Sequence, residues 1–291
     1  MELQSLQAFI QVAEKGSFSR AADELHLSQP AVSKRIAVLE EQLEQKLFDR
    51  IGRSITLTQA GFALLPRARR LLVELEDTRR MLANLSGEIQ GPLILATSHH
   101  IGLHRLPPLL KEFTQLYPQV KLDMRFQDSE QAYAGVISGE LELAIVTLAP
   151  VPDPSLVVVP VWVDQLRFVV SRGHPLNRLP SLQLDDLTHH DAVLPGEQTF
   201  TRGIVEQVFR EQDLGLNVTL STNYMETLKM MVSIGLGWSL LPETLIDDDS
   251  LVTLDLDHPP ITRPLGFLYH RERTLSNAAR KMIHLLEAAK S

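Results

Sequence analysis

The sequence predicts an α/β chain led by a small helical unit. Three observations carry this. Residues 3–43 hold three short amphipathic helices, with a tight turn between the second and third. A long helix with a seven-residue apolar repeat follows. Beyond the Gly- and Pro-punctuated stretch SGEIQGPL at 86–93, apolar strand-like runs alternate with helical ones to the end.

In the first helix Leu3, Leu6, Phe9, Ile10 and Ala13 recur at helical spacing, and Gly16 ends it. Ser17 is a good N-cap for the second, whose inner stripe is Phe18, Ala21, Ala22 and Leu25. The two alanines are small enough to let another helix come close. After His26-Leu27-Ser28, Ser28 can cap a third helix, with Pro30 in the first turn, where a missing N–H costs nothing. Val32, Ile36, Leu39 and Leu43 face inward, while Gln29, Ser33 and Lys34 face out near the N-terminal end. This is the helix-turn-helix pattern. An α-helix fits the major groove, Gln can pair with an adenine edge, and Ser and Lys can reach bases or phosphates. In LFDRIGRSITLTQAG, Leu47-Phe48 and Ile55, Leu57 read as a hairpin around Gly52, with Arg50 and Arg53 at its tip. That is a wing placed to meet phosphate or a minor groove. The competing reading is a plain helical bundle with a solvated face, and the wing counts against it.

Thr58 can cap the long helix over 58–86, in which Leu64, Ala68, Leu71, Leu75, Thr78, Leu82 and Leu85 repeat with alternating gaps of four and three. Such a seam pairs with a second helix, from another copy or from the same chain. Pro66 predicts a kink or weak first turns. Further on, LILAT, VKLDMRF, LELAIVT, LVVVPVW, LRFVVS, VTLST, LGWSLLP and LGFLYH read as strands. Helical stretches at about 104–117, 129–139, 199–212, 224–234 and 275–289 separate them, which predicts largely parallel sheets in two small lobes.

Residues 1–90 balance 12 Lys and Arg against 12 Asp and Glu, so the whole formal net charge of −8 falls on residues 91–291. Contact with nucleic acid is therefore expected in the N-terminal third alone. There are no cysteines, which excludes disulfides, thiolate metal sites and cysteine nucleophiles. No apolar run is long enough to span a bilayer, and the first residues do not read as a secretory signal, so a cytoplasmic location without membrane contact is expected. An enzyme is the rival reading for the α/β part. The chain holds no G-x-S-x-G, no G-x-x-x-x-G-K-[ST], no G-x-G-x-x-G opening a helix after a strand, and no H-E-x-x-H. A pure solute-binding module would leave residues 1–86 unexplained.

The stretch LQAFIQVAEKGSFSRAADELHLSQPAVSKRIAVLEEQLEQKLFDRIGRSITLTQAG, supported later by LPPLLKEFTQLYP, GELELAIV, GHPL and IGLGWSLLP, resembles the LysR-type transcriptional regulators over essentially the whole chain. The resemblance implies a winged helix-turn-helix at 1–58, a dimerising linker helix at 59–88 and an effector-binding domain at 89–291. That last domain is similar to periplasmic solute-binding proteins, with one lobe at about 91–160 and 266–291 and the other at about 161–265. It implies no enzyme activity and no cofactor. It implies a homotetramer built as a dimer of dimers, double-stranded promoter DNA and RNA polymerase as partners, and a small effector between the lobes that alters DNA bending and promoter activity. The family's DNA-contacting positions fall on Ser28, Gln29, Pro30, Ser33, Lys34 and Arg53. Relatives commonly carry arginine where this chain has Lys34.

The same resemblance places the effector loop at Thr97–His100, with Ser98 foremost, then His99 and His100. Across from it, PGEQTFTRG puts Thr199 and Phe200 at a helix start, where free backbone N–H groups favour anions. Gln127, Thr147 and Tyr224 each follow a strand-like run and complete the expected set, for a polar or anionic metabolite. His100 and His104 are four apart, a spacing that also suits metal ligation. No acidic or cysteine ligand is adjacent, so the histidines are read as polar lining and no metal is assigned. His189-His190 and the IDDD at 246–249 read as solvated, and Trp238 as core.

Overall fold

The helices of the N-terminal part begin and end where small capping groups allow. α1 (Leu3–Lys15) stops at Gly16, which takes the left-handed φ of 58° that glycine tolerates. The Ser17 hydroxyl accepts from the Arg20 amide to start α2 (Phe18–Glu24), and the Ser28 hydroxyl accepts from the Ala31 amide to start α3 (Gln29–Leu43). His26 turns the chain between them at a φ of 52°. The three helices close on Phe9, Val12, Ala21, Val32 and Leu39, each fully buried. Leu3, expected inside, is 40% exposed, because the end of α1 overhangs that core.

β1 (Phe48–Ile51) pairs antiparallel with β2 (Ser54–Leu57), Phe48 standing opposite Leu57. Phe48 roots this hairpin on Phe9 and Phe18, at ring separations of 5.4 and 5.9 Å. α4 (Gln59–Asn84) starts on Thr58, whose hydroxyl accepts from the Gly61 amide, and it continues through Pro66. The helix is unbroken there. Pro66 lies on the exposed side, where the carbonyl it leaves unpaired can meet water. The apolar repeat splits in two. Ala68, with Leu64, Leu65 and Leu72, packs into the core of α1–α3, whereas Leu71, Leu82 and Leu85 are exposed.

The computed structural model describes residues 1–51, 54–246 and 249–290. It divides into two units, Met1–Ser86 and Gly87–Ser291. The second unit opens with β3 (Gly91–Thr97), α5 (His99–His104), α6 (Pro107–Leu116), β4 (Val120–Phe126), α7 (Ser129–Ser138) and β5 (Leu143–Thr147). β6 (Leu156–Ser171) leads to α8 (Leu184–Thr188), β7 (Ala192–Leu194), α9 (Phe200–Arg210), β8 (Val218–Ser221) and α10 (Met225–Ser233). β9 (Ser239–Pro242), β10 (Leu251–Thr253), β11 (Ile261–His270) and α11 (Asn277–Ala288) complete it.

The larger sheet runs β10-β6-β11-β5-β3-β4, with β9 also on β6, and β7 pairs β8 separately. Its pairings are more antiparallel than the alternation of strands and helices predicts. Only β3 runs parallel to its neighbours β4 and β5. The reason is the pair β6 and β11, two long strands in opposite directions, against which β5, β9 and β10 also pair antiparallel. LVVVPVW and LRFVVS, read as separate strands, are one 16-residue strand, β6.

Two large clusters dominate the core of this unit, with smaller ones beside them. Leu93, Phe113, Phe267 and Met282 belong to one, and Phe168, Phe209 and Trp238 to the other. Trp238 is core as expected, its ring nitrogen donating to the Leu187 carbonyl at 2.9 Å. β6 and β11 run from one core to the other. Their register shifts at Leu265/Gly266, where a side chain on Gly266 would meet the Val159 carbonyl oxygen at 2.1 Å. Among the described residues no helix is long and apolar enough to cross a membrane.

Candidate nucleic-acid interface and effector pocket

The outer face of α3 presents the residues expected to meet DNA. Gln29, Pro30 and Lys34 are exposed and Ser33 is half-buried. Gln29 Nε2 donates to Ser33 Oγ at 3.0 Å, which holds both side chains on one face of the first turns. The Ser28 hydroxyl accepts the cap hydrogen bond, which fixes where the helix starts and leaves its proton free to donate. Arg35 turns away, donating to Gln4 Oε1 at 2.8 Å. Arg53 lies outside the described residues, so the wing is represented here by its two strands.

In the second unit a cavity of about 330 Å³ collects the expected effector residues. Ser98, His99, His100, Gln127, Thr147, Thr199 and Tyr224 all line it. Phe200 does not. Its amide donates to Glu130 Oε1 at 2.6 Å, and its ring packs on Tyr133, 5.4 Å away. The helix start expected to offer free N–H groups is therefore partly occupied, since the Thr199 hydroxyl also takes the Arg202 amide. Ser98 stands at the N-cap of α5, and its side chain makes no cap hydrogen bond. The His99 ring stands edge-on to Tyr224 and Phe126, at 5.1 and 5.7 Å. Burial pushes the Glu130 carboxyl up, against the lowering effect of the Phe200 amide.

A profile of the lysR family of bacterial regulatory helix-turn-helix proteins matches residues 3–62, and a profile of the LysR substrate binding domain matches residues 86–291. The chain belongs to the LysR family. It is a DNA-binding transcriptional regulator with an effector-binding domain, and not an enzyme. A probable RuBisCO transcriptional regulator of Nostoc sp. is 30% identical over 287 residues, 95% of this chain and 85% of that protein. An uncharacterized HTH-type transcriptional regulator from Azotobacter vinelandii is 69% identical over 108 residues, 37% of this chain and 75% of that one. Full-length OxyR of Pseudomonas aeruginosa shares the fold at a TM-score of 0.69 and 23% identity, covering 99% of this chain and 94% of its own. Full-length CbnR complexed with its target DNA does so at 0.64 and 21%, covering 99% and 100%.

In this regulator the pocket holds charged residues that the sequence reading passed over. Arg263 of β11 lines it, 2% exposed, and donates to Asp164 Oδ2 at 2.6 Å and to Thr201 Oγ1 at 3.1 Å. Arg105, just past α5, donates to the other Asp164 oxygen at 2.9 Å. Burial alone would raise the Asp164 carboxyl. His100, Arg263 and Arg105 together hold it far below the usual carboxylate range. One signal was available: Asp164 lies between the apolar runs LVVVPVW and LRFVVS and Arg263 just before LGFLYH, and a charge buried in a strand needs a partner of opposite sign.

The histidines also found a carboxylate that sequence adjacency did not offer. Glu226, in the first turn of α10, accepts from His104 Nε2 at 2.9 Å. Its Oε1 is 3.6 Å from His100 Nδ1. His189 is exposed as expected, but His190 is half-buried with its ring 5.0 Å from that of His174. Of the acidic turn at 246–249, residues 247 and 248 lie outside the described residues, and Asp249 pairs with Arg172 at 2.7 Å.

Asp164→Ala leaves two guanidinium groups sharing a buried site without their counter-charge, and is expected to cost about 3–5 kcal/mol. Thermal or urea unfolding of the full chain measures it. The folded Asp164 carboxyl titrates below its unfolded value of about 3.9, so its contribution is complete above that pH and fades as pH falls through the lower, folded value. The stability difference between wild type and Asp164→Ala should therefore be flat from about pH 8 to pH 5 and shrink below about pH 4.

Proposed function

We propose that this regulator binds a small polar, anionic metabolite in the 330 Å³ cavity, and that binding changes DNA bending and promoter activity. The observation that carries the reading is the lining. Hydroxyls of Ser98, Thr147, Thr199 and Thr201 and amides of Gln127 and Asn223 face one concave space, and the volume suits a molecule of modest size. Charge supports an acid group. One carboxylate, Asp164, is shared by two guanidiniums, and Arg263 Nε has no hydrogen-bond partner among the described residues. Asp128 and Glu130 also line the cavity, so a hydroxyl or amine on the same molecule has acceptors to meet.

The reading takes 1–58 as the DNA-binding domain, 59–88 as the linker helix and 89–291 as the effector domain, in lobes of about 91–160 with 266–291, and 161–265. It takes Ser28, Gln29, Pro30, Ser33, Lys34 and Arg53 as the DNA contacts, on promoter DNA in the cytoplasm. The exposed Leu71, Leu82 and Leu85 support pairing of α4 with a second copy, en route to a dimer of dimers that engages RNA polymerase.

Two experiments test this. The full chain is screened by thermal shift against small carboxylates, phosphates and sulfates. A ligand that binds only the native state raises the melting temperature, by an amount equivalent to about 2.7 kcal/mol at a hundredfold excess over Kd. The expected result is a stabilising acid whose effect is lost in Ser98→Ala. Stabilisation only by neutral apolar compounds, or an effect that survives the substitution, contradicts the assignment. In DNA titrations, Ser33→Ala should relax sequence preference with little change on random DNA, whereas Lys34→Ala should weaken all sequences and reduce the salt slope by about one. Equal losses on specific and random DNA for both variants contradict the division of roles.

A further inference from the structure

His100 and His104 stand one turn apart on α5, their rings 4.8 Å apart, and Glu226 reaches them from α10. One nitrogen from each ring and one carboxylate oxygen lie within 4.8 Å of one another. His104 Nε2 is 2.9 Å from Glu226 Oε1, and His100 Nδ1 is 3.6 Å from the same oxygen. A hydrogen-bonded pair would account for His104 and Glu226 alone. It does not account for His100, which is 4% exposed with neither ring nitrogen hydrogen-bonded among the described residues. Glu226 Oε2 is buried without a partner as well. Buried polar atoms seldom go unsatisfied, and His100 Nδ1 and Glu226 Oε2 belong to the one cluster with His104, which calls for an occupant.

The surroundings of His100 match what a ligating histidine needs. Its Nδ1 faces Glu226, while its Nε2 faces Asp164 Oδ2 at 3.6 Å. At 3.6 Å that carboxylate is a charged neighbour of the outer nitrogen and favours a proton there, which leaves the inner nitrogen free to ligate. Asp164 is held ionised for that role by Arg105 and Arg263.

We propose that His100, His104 and Glu226 bind one divalent transition-metal ion of the zinc class. Two neutral imidazoles and one carboxylate suit such an ion and leave a fourth position for water or another oxygen donor. Magnesium and calcium, which prefer all-oxygen surroundings, are excluded by the same ligand set. Bonds of about 2.0–2.2 Å in a tetrahedral site put ligand atoms roughly 3.3 Å apart, so the widest pair must close. The pairs that bridge the two helices are already at 2.9 and 3.6 Å, so the pair that closes is His100 with His104, both on α5; the ion ties them to Glu226 of α10 and fastens one wall of the cavity, since His100 lines it. The site does not depend on which metabolite the cavity takes.

The test uses untagged full-length protein stripped by a chelator and then titrated with Co²⁺. The expected result is one equivalent bound with the visible absorption bands of four-coordinate cobalt. Zn²⁺ then abolishes those bands, and it raises the melting temperature where Mg²⁺ does not. His104→Ala and Glu226→Gln are each expected to weaken Zn²⁺ binding by at least the roughly tenfold that loss of a mere supporting partner costs. His189→Ala, at an exposed histidine elsewhere, is expected to bind as wild type. Circular dichroism confirms that the variants fold. Absence of cobalt bands and of a Zn²⁺ shift in the wild type overturns the proposal. Equal Zn²⁺ affinity in wild type, His104→Ala and Glu226→Gln overturns it too, by placing the ion on other histidines.

Discussion

A buried carboxylate, Asp164, sets the terms for the effector domain. β6 carries it through the middle of the unit, its side chain closed off from solvent. An ionised carboxylate in that place is tolerable only if it is paired and hydrogen-bonded. Arg263 stands directly opposite it in the β6–β11 register, and Arg105 arrives from the end of α5. Because that demand is met, β6 runs unbroken from one hydrophobic core to the other. The partners that meet it then become cavity wall: Arg263 lines the pocket and holds Thr201, and His100 lies between Asp164 and Glu226. The charge that permits the strand also positions the binding site.

The local features of the fold were legible because local chemistry decides them. Ser17, Ser28 and Thr58 cap the helices they were expected to cap, and Gly16 terminates α1, since each acts on residues three or four positions away. Most of the pocket was legible for a related reason. Its lining residues sit at strand ends and helix starts, which the alternation of apolar runs marks out. Phe200 fails by one position: Thr199 is the cap and faces the cavity, while the next residue is already turned onto Tyr133.

What was not legible is pairing at a distance. Arg263 and Asp164 are 99 residues apart, and His104 and Glu226 are 122 apart. No spacing rule connects such residues. Only the crossing of β6 and β11, and the approach of α10 to α5, brings them together. The direction of the sheet was misread for a kindred reason. Alternating strands and helices predict parallel neighbours, but the two long strands that join the cores run in opposite directions and impose antiparallel pairing around them. In α4 the even apolar repeat concealed two different partners. Its first turns belong to the core of α1–α3, and only its later leucines are free for another helix.

The central claim is that Asp164 links elements of both cores through its two arginines. A double-mutant cycle between Arg105 and Asp164 tests it most directly, with the unfolding free energy of the full chain measured for wild type, Arg105→Met, Asp164→Asn and the double variant. Arg105 comes from the element that follows β3, and Asp164 from the strand shared by the two cores. The account predicts a coupling of about 1–3 kcal/mol, the double variant losing less than the sum of the single variants. A coupling within about 0.3 kcal/mol of zero would show the two residues acting independently, and would contradict it.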